Sequence, residues 1–524
     1  MTTYSKKTLV AVLTAATVAA SLTGFAGVAG ASSDAPRAGT GAAAGILPAR
    51  AGQPAPVLDW QPCEKPGGPA GQECATLSVP LDHADPTGPR IEVAVSRIRA
   101  ARLAGATRAP LGTLLVIPGG PGGSGVQRLT QKGDRLRATL GDAYDLVAMD
   151  PRGVGGSTTA SCGLDPEDRR LLTLRSWPGP GGEVAENHAR SRRTAEACAR
   201  NGGAVLRSFT TANQVRDLDL LRAALGEERI SAWGVSYGAY VAAVYAQEFP
   251  HRTDRWVLDS VGDPDPERLA RGWLANMARG AEDRFPDFAA WAAHPDRDRE
   301  GLRLAERPER VRPLVPALAA ELDERPRPSD VPGIPLTGNG LRQALQNALY
   351  ADAAFPAFAR LVREARDPGA TPALPPEPAG PMSDQAAAVM IGVICNDVTW
   401  PTGSVAGFRR AVAADRAAFP LTGGMPVNVT PCAFWKDRPE REPVRITDRG
   451  PGGILLVNSR RDPATPLAGA LRMRAALGDR ARTLVVEHGG HGMYLGNGNA
   501  CGDRAVTAYL SSGRLPARDG VCPD

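Results

Sequence analysis

A serine between two glycines is the residue best suited to nucleophilic chemistry in this sequence. Residues 234–238 read Gly-Val-Ser-Tyr-Gly. Such Gly-x-Ser-x-Gly segments form a sharp strand-to-helix turn, whose glycines leave room beside the serine. The apolar run 230–233 before the motif is typical of a strand, and the apolar stretch 238–249 after it is typical of a helix. This setting predicts that Ser236 is a nucleophile.

Serine alone is a weak nucleophile and needs a base, which in turn needs an acid to orient it. In folds with this turn, the acid and then a histidine follow the serine along the chain. His491 lies between two glycines after the last apolar run and is the predicted base; His488, closer to that run, is the alternative. Asp462 follows the preceding run and is the predicted acid. The alternative acid, Asp259, is more simply explained as a structural turn residue.

An oxyanion formed at the serine needs backbone N–H donors. The amide of Tyr237, directly after the serine, is one predicted donor. The second should come from the glycine-rich loop 118–125, where Gly120 is preferred and Gly122 is the alternative, because Pro121 has no N–H. A phosphate-binding loop is another interpretation of these glycines, but the Gly-Lys-Ser/Thr ending of such loops is absent.

Short apolar runs alternate with helical patterns over most of the chain. The runs that indicate strands are 91–95, 113–117, 144–149, 230–235, 256–259, 453–457 and 482–486. Continuous apolar strands separated by helices predict an α/β fold, with a mostly parallel twisted sheet and helices on both faces. Ligands of such sheets bind at the carboxyl ends of the strands. We therefore expect the serine, the acid and the base to meet at one edge of the sheet.

One long stretch, 262–450, breaks this alternation. It contains many prolines, a helical pattern at 336–366 and few strand-like runs. We interpret it as a mainly helical lid inserted between the two parts of the core, 58–261 and 451–524. An independent second domain is the alternative.

The N-terminal residues have the pattern of a secretory signal. Lys6 and Lys7 precede a weakly apolar run, 9–28, that ends in small residues. This pattern predicts a signal peptide over 1–31, with a membrane anchor as the alternative. Residues 32–57 are mostly Ala, Gly, Pro and Ser, which predicts a linker or pro-segment. We therefore expect a secreted, extracellular protein without stable membrane association once the signal is removed.

The cysteines agree with export. They are Cys63, Cys74, Cys162, Cys198, Cys395, Cys432, Cys501 and Cys522. An even number of cysteines in an exported chain indicates disulfides, here four. Pairing of nearest neighbours closes loops of modest length and is preferred, although the sequence leaves the connectivity open. A zinc site is the alternative, but no Cys-x-x-Cys segment occurs and the six histidines are scattered. We expect no metal and no cofactor.

Composition and charge exclude some classes of function. Hydrophobic residues make up 43% of the 524 residues and charged residues 22%, as in ordinary globular proteins. The formal net charge of +5 is too small to indicate a nucleic-acid-binding or membrane-surface protein. The oligomeric state is left open.

Six segments together carry a resemblance to a known family. They are Gly119-Gly-Pro-Gly-Gly, Asp150-Pro-Arg-Gly, Gly234-Val-Ser-Tyr-Gly, Cys395-Asn-Asp, Asp462-Pro-Ala-Thr-Pro and Gly490-His-Gly. With them the chain resembles the α/β-hydrolase superfamily, and more narrowly the secreted tripeptidyl aminopeptidases among the prolyl-iminopeptidase-like serine peptidases. One departure is Pro118, where the related iminopeptidases usually carry histidine.

The resemblance implies an α/β-hydrolase fold, peptide substrates and the release of short peptides, usually tripeptides, from free N-termini. An enzyme of this kind must bind the substrate's ammonium group, and a buried carboxylate in the lid is the expected device. Asp397 is the candidate; the alternative is a turn residue beside a disulfide. Two other hypotheses are a secreted esterase or lipase with the same triad, and a non-catalytic binding protein, against which the intact triad argues.

Overall fold

Ten strands of the described chain form a single sheet. They are β1 (Gln61–Pro62), β2 (Gln72–Pro80), β3 (Arg90–Ile98), β4 (Thr113–Ile117), β5 (Asp145–Met149), β6 (Ile230–Val235), β7 (Thr253–Asp259), β8 (Ile454–Arg461), β9 (Ala481–Gly489) and β10 (Gly520–Cys522). The computed structural model describes residues 57–63, 68–100, 110–169, 175–376, 380–439, 441–497 and 499–523.

The order of the strands confirms the predicted mostly parallel sheet. It runs β1-β2-β3-β5-β4-β6-β7-β8-β9-β10. The pairs β1–β2, β2–β3 and β3–β5 are antiparallel, and every later pair is parallel. The carboxyl ends of β4, β6, β7, β8 and β9 therefore lie along one edge, which is where such sheets place their functional loops.

The α-helices fall into three groups along the chain. Before β7 the described residues form α1 (Gly125–Leu140), α2 (Ala185–Asn201), α3 (Gly203–Arg207), α4 (Thr211–Ala224) and α5 (Tyr237–Glu248). Between β7 and β8 they form α6 (Pro266–Ala270), α7 (Gly272–Ala293), α8 (Asp296–Arg299), α9 (Pro308–Glu324), α10 (Gly338–Ala348), α11 (Phe355–Arg366), α12 (Asp384–Asp397) and α13 (Val405–Ala418). After β8 they form α14 (Leu467–Leu477) and α15 (Ala500–Ser512).

Helices cover both faces of the sheet. Leu218 of α4, Val244 of α5 and Met473 of α14 are buried in the apolar layer on one face. Leu129 of α1 and Val506 of α15 are buried in the layer on the other face. Burial of one such side chain contributes about 1.5–3 kcal/mol. The two layers make the sheet a firm support for the loops at its edge.

The segment between β7 and β8 is mainly helical, and the predicted insertion 262–450 falls within it. Helices α7, α9, α10 and α11 enclose an apolar core of their own, which includes Phe285, Phe288, Leu345 and Phe358. Helix α12 belongs instead to a cluster that contains Val389 and residues of the core loops. The predicted helical stretch 336–366 corresponds to α10 and α11.

All eight cysteines lie in described residues and are paired. The pairs are Cys63–Cys74, Cys162–Cys198, Cys395–Cys432 and Cys501–Cys522. This is the nearest-neighbour pattern that the sequence favoured. In the part of the chain that the structure describes, no group of three or more His, Cys, Asp or Glu side chains is placed to hold a metal ion.

The predicted signal peptide, 1–31, lies outside the described residues, as does the predicted linker or pro-segment, 32–57, except for its last residue. Among the helices that are described, none has the length and apolar character needed to cross a membrane.

Candidate active site

Ser236 lies in a strained turn between β6 and α5. Its φ of 59° and ψ of −124° place a non-glycine residue in a region that is otherwise almost confined to glycine. The Ser236 N–H donates to the carbonyl of Asp259 at 2.9 Å. A Cβ on Gly238 would lie 2.5 Å from the carbonyl oxygen of Ile117, and one on Gly234 would collide with the backbone of Gly238. Both glycines of the motif are thus required by close backbone approach.

The predicted acid and base are in direct contact. Nδ1 of His491 lies 3.0 Å and 2.9 Å from the two carboxylate oxygens of Asp462, which is buried. The amides of Ala464 and Thr465 each donate to Oδ1 of Asp462 at 2.8 Å, and the Thr465 hydroxyl donates to Oδ2 at 2.9 Å. These bonds fix the carboxylate and let it accept the imidazole N–H.

The electrostatic surroundings favour the protonated imidazole. Burial alone would lower the pKa of His491, but the charge and hydrogen bond of Asp462 outweigh burial, so this pKa lies above its ordinary value. An imidazole that is more basic than usual is better able to accept a proton from a hydroxyl.

The loop that carries the base is attached to the end of β7. The Gly492 N–H donates to Oγ of Ser260 at 2.7 Å, and the amides of Met493 and Tyr494 donate to the two carboxylate oxygens of Asp259 at 2.8 Å and 2.9 Å. Asp259 therefore holds the histidine loop and makes no hydrogen bond to the imidazole among the described residues. This is the structural role that the sequence favoured for the alternative acid.

Ser236 follows β6 and His491 follows β9, two strands that β7 and β8 separate. Among the described residues, no hydrogen bond joins the two side chains. A Cβ on Gly492, next to the base, would lie 3.8 Å from Val235, next to the serine, so the two turns are adjacent. Catalytic hydrogen bonds are often long without substrate and shorten when it binds.

The glycine-rich loop after β4 packs directly on the serine. A Cβ on Gly119 would lie 3.0 Å from Cβ of Ser236. The Gly123 N–H donates to the Gly119 carbonyl at 3.1 Å. Within the described chain no hydrogen-bond acceptor is found for the amides of Tyr237 and Gly120, the two predicted oxyanion donors, or of Gly122, the alternative to Gly120.

Asp150 supports this loop. Its Oδ1 accepts from the Ser124 hydroxyl at 2.6 Å and from the Val126 amide at 3.0 Å, and its Oδ2 accepts from the Gly156 amide at 3.1 Å. Nearby, Arg152 is buried and its Nε donates to Asp217 at 2.6 Å. The Asp-Pro-Arg-Gly segment thus braces the loops around the site.

Asp397, the candidate ligand for a substrate ammonium group, ends α12 beside the first turn of α4. One carboxylate oxygen accepts from the Thr211 amide at 2.9 Å and the other from its hydroxyl at 2.5 Å. That hydroxyl also lies 2.7 Å from the phenol oxygen of Tyr237. Burial raises the pKa of Asp397 to about 6. The carboxylate lines a cavity shared with Tyr240 and Glu248.

Sequence reasoning missed several residues around the base. The Thr465 hydroxyl donates to the predicted acid, and the Tyr350 carbonyl accepts from the backbone N–H of His491 at 2.8 Å. The Tyr350 ring meets the imidazole edge-on at a centroid distance of 5.1 Å. The alternative base, His488, faces Asp352, with 3.4 Å between Nε2 and Oδ2. The Asp-x-x-Thr spacing could have indicated Thr465, but no motif marks Tyr350.

The chain is similar to several known proteins. The profile of a family described as TAP-like protein matches residues 421–522. Tripeptidyl aminopeptidase of Streptomyces lividans is 33% identical over 484 residues, which cover 89% of this chain and 86% of that protein. Serine protease Hip1 of Mycobacterium tuberculosis is 28% identical over 495 residues, which cover 90% of this chain and 91% of that protein. A solved structure of proline iminopeptidase from Mycobacterium smegmatis aligns with 84% of this chain and 97% of its own, at 15% identity and a TM-score of 0.34.

The mostly parallel sheet and the serine turn at its carboxyl edge define a serine hydrolase with the α/β-hydrolase fold. The identity to the Streptomyces protein extends over most of both chains. This chain belongs to the tripeptidyl aminopeptidase family and is a serine peptidase of that family.

Proposed function

We propose that this chain is a secreted serine exopeptidase that releases short peptides, tripeptides in particular, from free N-termini. The observation that carries the proposal is the hydrogen bond between His491 and the buried Asp462, at the same sheet edge as the strained Ser236. The name of the Streptomyces relative supports the tripeptide product.

The proposed mechanism uses three side chains and two amides. His491 takes the proton of the Ser236 hydroxyl as its oxygen attacks the scissile carbonyl, while Asp462 stabilises the imidazolium. The Tyr237 amide and the amide of Gly120, or of Gly122, bind the oxyanion. The imidazolium then protonates the leaving amine, and water hydrolyses the acyl-enzyme by the same steps.

Substitution of the nucleophile tests this mechanism. We expect Ser236→Ala to abolish turnover of an N-terminally free tripeptide p-nitroanilide and labelling by a fluorophosphonate. Ser512→Ala, which removes an exposed hydroxyl at the end of α15, is the matched control and should behave as the wild type. Turnover that survives Ser236→Ala would refute the assignment.

Blocking the substrate's amine separates the peptidase from the esterase alternative. An aminopeptidase should lose activity when the tripeptide substrate is N-acetylated, because the substrate then has no ammonium group to pair with the enzyme's carboxylate. A preference for simple p-nitrophenyl esters over both peptides would favour an esterase. Digestion of a peptide library would give the length of the released product.

We also propose Asp397 as the carboxylate that receives the substrate ammonium, with residues 262–450 as the lid that presents it. A partly buried carboxylate whose pKa is raised by desolvation gains from a cationic partner. Asp397→Asn should raise KM for the free-amine tripeptide and leave p-nitrophenyl acetate hydrolysis unchanged. Equal losses on both substrates would instead mean that Asp397 acts on the oxyanion residue Tyr237 through Thr211.

Secretion is part of the proposal. The basic and apolar N-terminus and the four disulfides support export and removal of a signal peptide over 1–31. N-terminal sequencing of the protein from culture medium should place the start of the mature chain between residues 32 and about 57. Recovery of the protein only in the cell fraction would contradict export.

A further inference from the structure

One face of helix α7 touches both turns that carry the proposed acid and base. Gly280, Arg284 and Asp287 are spaced four and three residues apart, so they lie on the same side of the helix. Helix α7 belongs to the segment between β7 and β8, whereas the turns with the acid and the base follow β8 and β9. The contacts of these three residues show how that segment reaches the catalytic turns.

Gly280 packs against the turn that carries the acid. A Cβ on Gly280 would lie 2.5 Å from the carbonyl oxygen of Pro463 and 2.8 Å from its Cα. Pro463 directly follows Asp462. Because the obstructing atoms belong to the backbone, no side-chain rotation could make room for a larger residue. The helix and the acid turn are therefore in the closest contact that the chain allows.

Asp287 and Arg284 extend this contact to both strand ends. Nε of Arg461, the residue before the acid, donates to Asp287 at 2.8 Å. Arg284 is buried, pairs with Asp287 and Asp352, and approaches Gly489 so closely that a Cβ there would collide with its guanidinium. Gly489 lies two residues before the base.

The same arginine anchors the turn that holds the imidazole. Nε of Arg284 donates to the Leu349 carbonyl at 3.3 Å. The next residue is Tyr350, whose carbonyl accepts a hydrogen bond from the backbone N–H of His491 at 2.8 Å and whose ring packs edge-on against the imidazole. Asn497 donates to the same carbonyl at 2.9 Å. The backbone of the base is thus bonded to the segment between β7 and β8.

We propose that Gly280, Arg284 and Asp287 are positioning residues that hold the acid and the base at the distance catalysis needs. This inference rests on the proposed triad. None of these contacts reaches Ser236. The segment that would cover the substrate therefore positions the acid and the base but not the serine. Disturbing the α7 face should weaken the contact between Asp462 and His491 and leave the serine turn intact.

Gly280→Ala tests the proposal, with Gly272→Ala on the same helix as control, because a Cβ on Gly272 meets only an ordinary contact at 3.9 Å. We expect kcat per active site to fall on the order of 10- to 100-fold in Gly280→Ala with KM changed by less than about threefold, since small misplacements of catalytic groups have effects of this size. Gly272→Ala should match the wild type.

The pH profile distinguishes positioning from general destabilisation. Because Asp462 raises the pKa of His491, a weaker contact lowers that pKa, and the acid limb of kcat/KM should move to lower pH in Gly280→Ala. A loss of kcat that follows the folded fraction with an unmoved acid limb would overturn the proposal, as would wild-type activity. Active sites are counted by fluorophosphonate labelling, and folding by thermal melts.

A second variant keeps the test decisive if Gly280→Ala does not fold. Arg284→Lys retains the charge but cannot reach Asp287, Asp352 and the Leu349 carbonyl together. It should show the same shift of the acid limb, and an unshifted profile would refute the role of Arg284. Ser236→Ala is measured alongside, and activity that survives in it refutes the triad itself. If Ser236→Ala is inactive but the α7 variants keep wild-type kinetics, only the positioning role is refuted.

Discussion

The proposed nucleophile and the proposed acid–base pair are held in place by different means. Ser236 is fixed by backbone geometry, through its φ of 59° and two glycines that allow close approach. His491 and Asp462 are fixed by hydrogen bonds and by contacts from a helix and a turn that lie far away in sequence. The comparison teaches that one half of a catalytic site can be encoded in a five-residue motif while the other half depends on tertiary packing.

Removing the charge of the acid should have the largest effect. We expect Asp462→Asn to reduce kcat/KM on the order of a thousandfold or more, as in other serine–histidine–aspartate triads. Since the pKa of His491 is raised by Asp462 and the base must be neutral, the wild-type acid limb should lie above about 6.5 and move to lower pH in the variant. Asp283→Asn, on an exposed part of α7, is the control. A loss below tenfold would contradict the assigned role.

A methyl group added in the serine turn should disturb the part of the site that backbone geometry holds in place. In Gly238→Ala the added Cβ would lie 2.5 Å from the carbonyl oxygens of Ile117 and Pro118. Such overpacking costs about 1–3 kcal/mol, and urea denaturation should detect this loss. We expect activity to fall with fluorophosphonate labelling, while the acid limb of the remaining activity stays where it was. Unchanged stability would contradict the required close approach.

The hydroxyl beside the acid should matter less, because two amides also bind Asp462. Thr465→Val keeps the shape of the side chain and removes the hydrogen bond to Oδ2. We expect a loss of stability of about 1 kcal/mol and a fall in kcat of roughly three- to tenfold, measured by urea denaturation and steady-state kinetics. Thr465→Ser, which keeps the hydroxyl, should retain the wild-type kcat. Equal losses of kcat in both variants would mean that side-chain packing at Thr465, and not its hydrogen bond, supports activity.

Asp397 should make the stability of the protein depend on pH, with no effect on the catalytic groups. Its pKa of about 6 in the folded chain lies above the ordinary value of 3.8, so the folded state takes up the proton first. Stability should therefore fall as pH rises from about 4 to 6, by about 2 kcal/mol. Urea denaturation at several pH values measures the slope, and Asp397→Asn should flatten it. A wild-type slope in the variant would assign the effect to other groups.

The residues with a local signature were predictable. The motif around Ser236 and the turns with Asp462 and His491 follow apolar runs that do form β6, β8 and β9. The position of Asp259, below the histidine loop, also agrees with the structural role that its sequence suggested. In each case the signal was a strand end followed by glycine, proline or a polar turn.

The residues that act across the fold were not predictable. Strand β2 was missed because polar residues interrupt its apolar ones, and its place in the sheet depends on pairing with β3. Gly280 and Arg284 carry no motif, since a glycine or an arginine inside a helix has no distinctive spacing. Their contacts with Pro463 and Gly489 join segments 183 and 205 residues apart, which a single sequence does not reveal.

No disulfide spans the middle of the chain, between Cys198 and Cys395. Cys63–Cys74 and Cys162–Cys198 lie before α7, and Cys395–Cys432 and Cys501–Cys522 lie after α11. A single proteolytic nick between residues 237 and 394 would therefore leave no covalent bridge between the fragment with Ser236 and the fragment with His491. The two fragments would remain together only through sheet pairing and side-chain packing, and would separate in denaturant without any reductant.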